Sequence, residues 1–229
     1  HCFATSEHGN IFDFVMKTQN LRFGEAVKHL ANLAGMQPYI FSKQDEEREK
    51  KWKIYSSIFS QYVDFYHEEL LKNESYSFVR DYLKDRSLNK DQVKKFKIGY
   101  VEKKPNFFDK LKNNFDTEDL LETGLFYFDE KKNIYIERFK GRLIFPINNI
   151  SGQPIALGGR IIEKSDFLAK YINSPETSFF KKGANLYNLD LARTLSNKLD
   201  NIFLVEGYMD VIGLSKNGIE NAVANLGTA

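Results

Sequence analysis

The stretch from Ile202 to Ala224 constrains the fold of this chain more than any other. Four apolar residues in a row, Ile202-Phe203-Leu204-Val205, run straight into Glu206-Gly207. An apolar run of that length closed by a turn signal predicts a strand buried on both faces, as in a parallel sheet. Met209, Val211, Ile212 and Leu214 then suit a short helix until Asn217-Gly218 stops it, and Ala222-Val223-Ala224 supplies a second apolar stretch. The result is a minimal strand-helix-strand unit. It places Glu206 at the carboxyl end of the first strand, where open α/β sheets hold their ligands. An isolated Glu-Gly is usually a surface turn; the strand before it and the helix after it make Glu206 a site candidate.

Upstream the rhythm differs. Asn10 as N-cap with Asp13 at the third helical position predicts a helix whose apolar stripe is Ile11, Phe14 and Val15. A second helix, from about Arg22 to Ala34, turns Phe23, Ala26, Val27, Leu30, Ala31 and Leu33 inward and stops at Gly35. Lys43 to Lys53 is almost all charge, which predicts a linker feeding a solvated helix start. From Ile54 to about Leu71, apolar residues recur at helical spacing, many of them aromatic; such rings can stack bases, but a stripe of this kind reads first as core. Shorter helices are expected after Asn73 (with Phe78, Tyr82 and Leu83), at Asp91 to Phe96, at Asn106 to Asn114, and at Thr117 to Glu122 before Gly124. Then the period becomes two. Leu125 to Phe128 with Ile134 to Ile136, and Leu143 to Ile147 with Pro154 to Leu157, predict two hairpins. The fold class is therefore α+β, followed by the opening βαβ of an α/β fold.

With 33 basic and 31 acidic residues the chain has a formal charge of +2, so any nucleic-acid surface must be local. Between Arg138 and Asp200 ten Lys/Arg face five acids, a net +5. In that segment Gly158-Gly159-Arg160 sets two positions without side chains beside a guanidinium, which lets backbone N–H groups and a cation approach a phosphate. Lys170-Tyr171-Ile172-Asn173-Ser174-Pro175-Glu176-Thr177 and Lys181-Lys182-Gly183 add cations and hydroxyls in loops. A solvated basic face explains the same residues, and composition leaves both readings open. One cysteine excludes an internal disulfide and fits a reducing compartment. No apolar span of about 18 residues and no signal-peptide pattern is present, so a cytoplasmic location without membrane partners is expected. Cys2 and His8 are two potential ligands where structural zinc takes four. Because it begins at His1 and ends just after a strand, the chain is expected to be a fragment.

Arg142-Leu143-Ile144-Phe145-Pro146, Gly158-Gly159-Arg160, the Lys170 to Thr177 run, Phe180-Lys181-Lys182-Gly183, Leu186-Tyr187, Glu206-Gly207-Tyr208-Met209-Asp210 and Leu226-Gly227-Thr228 occur in an order and spacing that closely resembles bacterial replicative DNA primases of the DnaG type. His1-Cys2-Phe3 with His8-Gly9-Asn10 resembles the end of that family's zinc ribbon, and Tyr82-Leu83-Lys84-Asp85-Arg86-Ser87-Leu88 resembles its helix ending in Arg-Gly-Leu. The resemblance implies four parts: residues 1–42, the end of a zinc-ribbon domain plus two helices; 43–53, a charged linker; 54–195, the N-terminal basic subdomain of an RNA polymerase core; and 196–229, the beginning of a Toprim subdomain. It also implies synthesis of short RNA primers on a single-stranded DNA template from ribonucleoside triphosphates with Mg²⁺ or Mn²⁺, and a replicative helicase as partner through a C-terminal domain outside this chain. Glu206 matches the first Toprim carboxylate, expected in metal binding or acid-base work. Arg86, Arg142, Arg160, Lys170, Asn173, Lys181 and Lys182 match DNA- or nucleotide-binding positions. Phosphoryl transfer is mostly positioning and charge neutralisation, so such a set of cations suits it.

The departures matter too. Thr5 stands where the last cysteine of the family's Cys-Phe-Gly-Cys run belongs, so no zinc is expected in this chain and Cys2 is a remnant ligand at most. The Asp-x-Asp carboxylates of the Toprim fold are expected beyond Ala229, so the chain alone is expected not to polymerise. Ser87 replaces a glycine at a helix end. The alternatives are a single-stranded DNA-binding module without activity, or another Toprim enzyme such as a topoisomerase or nuclease.

Overall fold

A computed structural model describes residues 9–37, 42–163, 165–196 and 201–227. The chain divides into two compact units, one up to Lys51 and one from Trp52. In the first, helix α1 (Ile11–Gln19) starts with the expected capping box: Asn10 Oδ1 accepts the N–H groups of Phe12 and Asp13 at 2.8 and 3.1 Å, and Asp13 accepts that of Asn10 at 2.8 Å. Helix α2 (Phe23–Leu33) ends ahead of Gly35, whose φ of +67° is the left-handed stop that glycine adopts freely. The inward stripes are narrower than the spacing suggests. Val15 and Ala26 are buried, whereas Ile11, Phe14, Phe23 and Leu33 are exposed, Phe14 by 67%. Two short helices that pack mainly on each other, among the described residues, can cover only a thin strip.

The charged run is helical. Helix α3 spans Lys43–Lys72, and Ser42 opens it with a second capping box: its Oγ accepts the Asp45 N–H at 3.2 Å while Asp45 accepts the Ser42 N–H at 2.9 Å. Glu, Lys and Arg are good helix formers, so a dense charge pattern continues a helix once a cap has started it.

In the second unit the aromatic stripe of α3 is core. Tyr55, Ile58, Phe59, Tyr62, Val63, Tyr66 and Leu70 are all buried, so none of these rings is available to a base. They pack with an antiparallel sheet in the order β1-β4-β5-β6, formed by β1 (Gly99–Val101), β4 (Arg142–Asn148), β5 (Pro154–Ile161) and β6 (Tyr171–Asn173). A separate hairpin joins β2 (Phe126–Asp129) to β3 (Ile134–Glu137). Both hairpins thus form where the period-two pattern puts them. Around them lie α4 (Ser77–Asp85), α5 (Lys90–Lys95), α6 (Phe107–Leu111), α7 (Thr117–Glu122) and α8 (Leu189–Ser196). One acid is built into this core: Glu137 accepts hydrogen bonds from the Tyr66 hydroxyl at 2.7 Å and from the N–H groups of Phe107 and Phe108 at 2.7 and 3.3 Å, so it caps α6 from inside. Burial raises its pKa, with those hydrogen bonds opposing the shift.

Gly158-Gly159 is not a phosphate loop. Both glycines sit inside β5, opposite Phe145 and Ile144 on one side and Asn173 and Ile172 on the other. A Cβ on Gly159 would lie 2.5 Å from Phe139 Cδ1, and one on Gly158 would overlap the Tyr208 ring. The missing side chains make room for aromatic rings. Nor are the hydroxyls downstream loose: Ser174 Oγ accepts the Leu157 N–H at 2.9 Å, and Thr177 Oγ1 accepts those of Phe179 and Phe180.

At the end of the chain β7 (Phe203–Val205) pairs in parallel with β8 (Ala222–Ala224), with α9 (Tyr208–Lys216) between them in sequence. The βαβ unit is as expected, but the burial of its first strand is not. Phe203 is 46% exposed and Leu204 68%, while β8 is fully buried. The reason lies in the pairing: β8 has β7 on one side and a bridge to Tyr187 on the other, whereas β7 is an edge strand among the described residues.

Candidate nucleic-acid interface

Tyr82 and Arg86 lie four residues apart, at the end of α4, and so share a face. The helix stops at Ser87, which adopts φ +60°; its N–H donates to Lys84 O at 2.7 Å and the Leu88 N–H to Leu83 O at 2.9 Å. Ser87 thus keeps the left-handed helix stop that a glycine makes at lower cost. Arg86 Cζ stands 5.5 Å from the centre of the Tyr82 ring. Arg160, from β5, stands 5.8 Å from that same ring and 5.1 Å from the ring of Tyr171, the first residue of β6. Its Nη1 donates to the Tyr171 hydroxyl. Arg160 is only 4% exposed, its Nε has no hydrogen-bond partner, and no carboxylate pairs with it among the described residues. A buried guanidinium without a counter-charge is costly, and the two rings offset part of that cost.

Arg142 is the first residue of β4. It is buried, and its Nη1 donates to the carbonyls of Ala169 at 2.9 Å and Lys170 at 3.5 Å; burial among uncharged groups lowers its pKa. It holds the turn that presents Lys170, whose own ammonium is exposed and makes no ion pair among the described residues. Asn173 is likewise occupied: its Nδ2 donates to Leu226 O at 2.5 Å and its Oδ1 accepts the Tyr208 hydroxyl. Lys181 pairs with Glu176 at 3.3 Å, and Glu176 also accepts the Lys182 N–H at 3.0 Å; that backbone hydrogen bond first, then Lys181, keeps its carboxyl below the usual range. Lys182 is half-buried, and its ammonium makes no ion pair among the described residues.

Glu206 follows β7 directly, as expected, with its side chain exposed and hydrogen-bonded to nothing among the described residues. Asp210 is turned back on the helix start, its Oδ2 accepting the Gly207 N–H at 3.1 Å. Glu206 is therefore free where Asp210 is engaged. A hard divalent cation takes six or more oxygens, and no group of three or more His, Cys, Asp or Glu stands ready for one among the described residues. Glu206 fits as a single carboxylate arm of such a site. Cys2 and the question of zinc lie outside the described residues.

Sequence reasoning passed over three tyrosines. Tyr82 was grouped with a helical stripe and Tyr171 was part of a basic run, yet these two rings bracket Arg160. Tyr208, two residues after Glu206, stacks on Phe145 (5.6 Å, 12°), meets Tyr187 edge-on (4.8 Å) and fills the space above Gly158. The signal available for Tyr82 was its four-residue spacing from Arg86.

No helix among the described residues is long and apolar enough to cross a membrane. Residues 65–193 match the N-terminal domain of the DNA primase catalytic core, residues 1–47 the CHC2 zinc finger, and residues 200–229 a Toprim domain. The DNA primase of Clostridium acetobutylicum is 39% identical over all of this chain, which spans 37% of that protein's length. A DnaG primase catalytic domain bound to single-stranded DNA is similar in structure, with a TM-score of 0.70 and 31% identity over 79% of this chain and 56% of that one. The zinc-binding and RNA polymerase domains of Aquifex aeolicus primase match all of this chain and 54% of theirs, with a TM-score of 0.69 and 34% identity. The chain belongs to the DNA primase family, through matches to the zinc finger, the N-terminal domain of the catalytic core and a Toprim domain.

Proposed function

We propose that this chain is the template-holding part of a primase, a protein that joins ribonucleoside triphosphates into short RNA primers on single-stranded DNA. The observation that carries the reading is Arg160, a nearly buried guanidinium with no carboxylate partner and an unused Nε–H among the described residues. An anion completes such a site, and a nucleic-acid phosphate is the anion that the family's chemistry provides. Arg86 and Lys170 add exposed charge, Arg142 fixes the backbone that carries Lys170, and Lys182 is a further ammonium without an ion pair among the described residues.

Glu206 supplies one carboxylate at the head of α9, and a divalent ion held there would neutralise phosphate charge during transfer. The chain's own part is positional: Tyr208 packs under β5 and donates to Asn173, which fixes the backbone next to Glu206.

Titration of a labelled single-stranded oligonucleotide, followed by fluorescence anisotropy at several salt concentrations, tests the reading. Charge reversal at Lys170 and Lys182 is expected to weaken binding and flatten the salt slope by about one unit per lost phosphate contact. Unchanged affinity refutes it. With Mg²⁺ or Mn²⁺ and labelled ribonucleotides the chain alone is expected to make no primer, since one carboxylate is too few for metal-assisted transfer; robust synthesis would overturn the role given to Glu206.

A further inference from the structure

Tyr82 touches two cations that no acid neutralises among the described residues. Its ring lies 5.5 Å from Arg86 Cζ and 5.8 Å from Arg160 Cζ, so the two guanidinium groups can be no farther apart than those distances added together. Like charges sharing one ring repel, and Arg160, being nearly buried, has little water to screen it. The π face of a tyrosine attracts a guanidinium and so can hold both in place without neutralising either. An Asp or Glu at the same position would bind the arginines more strongly, but it would remove the charge a phosphate needs. The rest of the cage points the same way. Tyr171 closes on Arg160 from β6 and takes its Nη1, while Nε is left without a partner. The Tyr82 hydroxyl itself has no partner among the described residues.

We infer that Tyr82 is a positioning residue: it sets the spacing and orientation of Arg86 and Arg160 so that the exposed Arg86 guanidinium, with the charge of Arg160 behind it, grips phosphates of a single strand. The inference rests on the nucleic-acid reading above and gives it a specific arrangement, in which the ring acts through the arginines and not by stacking a base.

Two measurements on the whole 229-residue chain test it. In the free protein, the Arg160 Nε–H resonance seen by NMR is expected to move in Tyr82→Leu, which loses the ring, and to stay in place in Tyr82→Phe. If Tyr82→Leu fails to fold, Tyr82→Met removes the π face at similar volume and serves instead. In the anisotropy titration, Tyr82→Leu is expected to weaken single-strand binding about fivefold, the size of a partly exposed cation–π contact, and to flatten the salt slope, with Tyr82→Phe within about twofold of the parent. When Arg86→Gln and Arg160→Gln are already present, Tyr82→Leu is expected to cost nothing further. A fivefold loss that persists without the two arginines would make Tyr82 a base-stacking platform and overturn the inference, as would an Arg160 resonance that ignores the ring. If the parent chain binds no single strand at all, the nucleic-acid reading falls, while the resonance still decides whether Tyr82 positions Arg160.

Discussion

Gly158→Ala tests the contact that joins the sheet to the helix behind Glu206. The added Cβ would overlap the Tyr208 ring, which cannot slide away easily: it stacks on Phe145, meets Tyr187 edge-on, and its hydroxyl is held by Asn173. Forcing a methyl group into a close-packed site costs about 1–3 kcal/mol. Against this, replacing glycine outside the left-handed region reduces the freedom of the unfolded chain and returns about 0.5 kcal/mol. The net expectation is a loss of about 1–2 kcal/mol. For a unit of this size each kcal/mol moves the midpoint by about 2–4 °C, so Tm should fall by about 2–8 °C in a thermal melt. Gly213→Ala is the control: it lies inside α9, nothing stands within 4 Å of the added atom, and helix propensity predicts a gain of about 0.5–1 kcal/mol. Tyr208→Leu completes a cycle. With the ring gone, Gly158→Ala should cost little, giving a coupling above about 1 kcal/mol. A Gly158→Ala protein as stable as its parent, or one equally destabilised with Leu at 208, would refute the account.

Three further outcomes are expected. Ser87→Gly relieves a non-glycine φ of +60° at the end of α4 and should raise stability by about 1 kcal/mol by thermal melt; an unchanged or lower Tm would show that the serine is unstrained. Glu137 has a folded pKa raised above its unfolded value of about 4.3, so the folded state holds the proton more tightly; its stabilising contribution is present below that pH and is lost as pH rises through the folded pKa. Denaturant melts across that range should therefore show the parent losing stability relative to Glu137→Gln as pH rises, and a constant difference would refute the shift. Lys170→Glu and Lys182→Glu should each weaken single-strand binding with a shallower salt slope, whereas Lys112→Glu, already ion-paired to Asp109, should leave the slope nearly unchanged.

What could be read from the sequence was the part set by local rules. The Asn10 capping box, the left-handed stop at Gly35, the two hairpins and the βαβ unit depend on neighbours within a few residues, and each forms where its signal stands. The errors came where burial depends on distant partners. Leu204 reads as a doubly covered strand residue but lies on an edge strand; Phe14 reads as core but has too little on its side to cover it. Charge density at Lys43 to Lys53 hides a helix because helix propensity does not require burial, and the Ser42 cap with Asp45 is the local signal for it.

The same limit explains the site. Gly158, Arg160 and Asn173 each look like a candidate for touching nucleic acid when read one at a time, and the pairing of β5 with β6 sets Gly158 and Asn173 in a joint with Tyr208. Gly158 sits opposite Asn173 in the ladder, and Tyr208 fills the space above that pair, with its hydroxyl on Asn173 and its ring where a side chain on Gly158 would be. These three form one joint, which also holds Leu226 through the Asn173 amide. Two residues farther along β5, on the same face, Arg160 escapes the joint because Tyr82 and Tyr171 give it room without neutralising it. One strand thus separates the two tasks by register: its glycine end locks the Glu206 segment to the sheet, and its arginine end keeps a charge available. A substitution at the first should therefore appear in stability before binding, and one at the second in binding before stability.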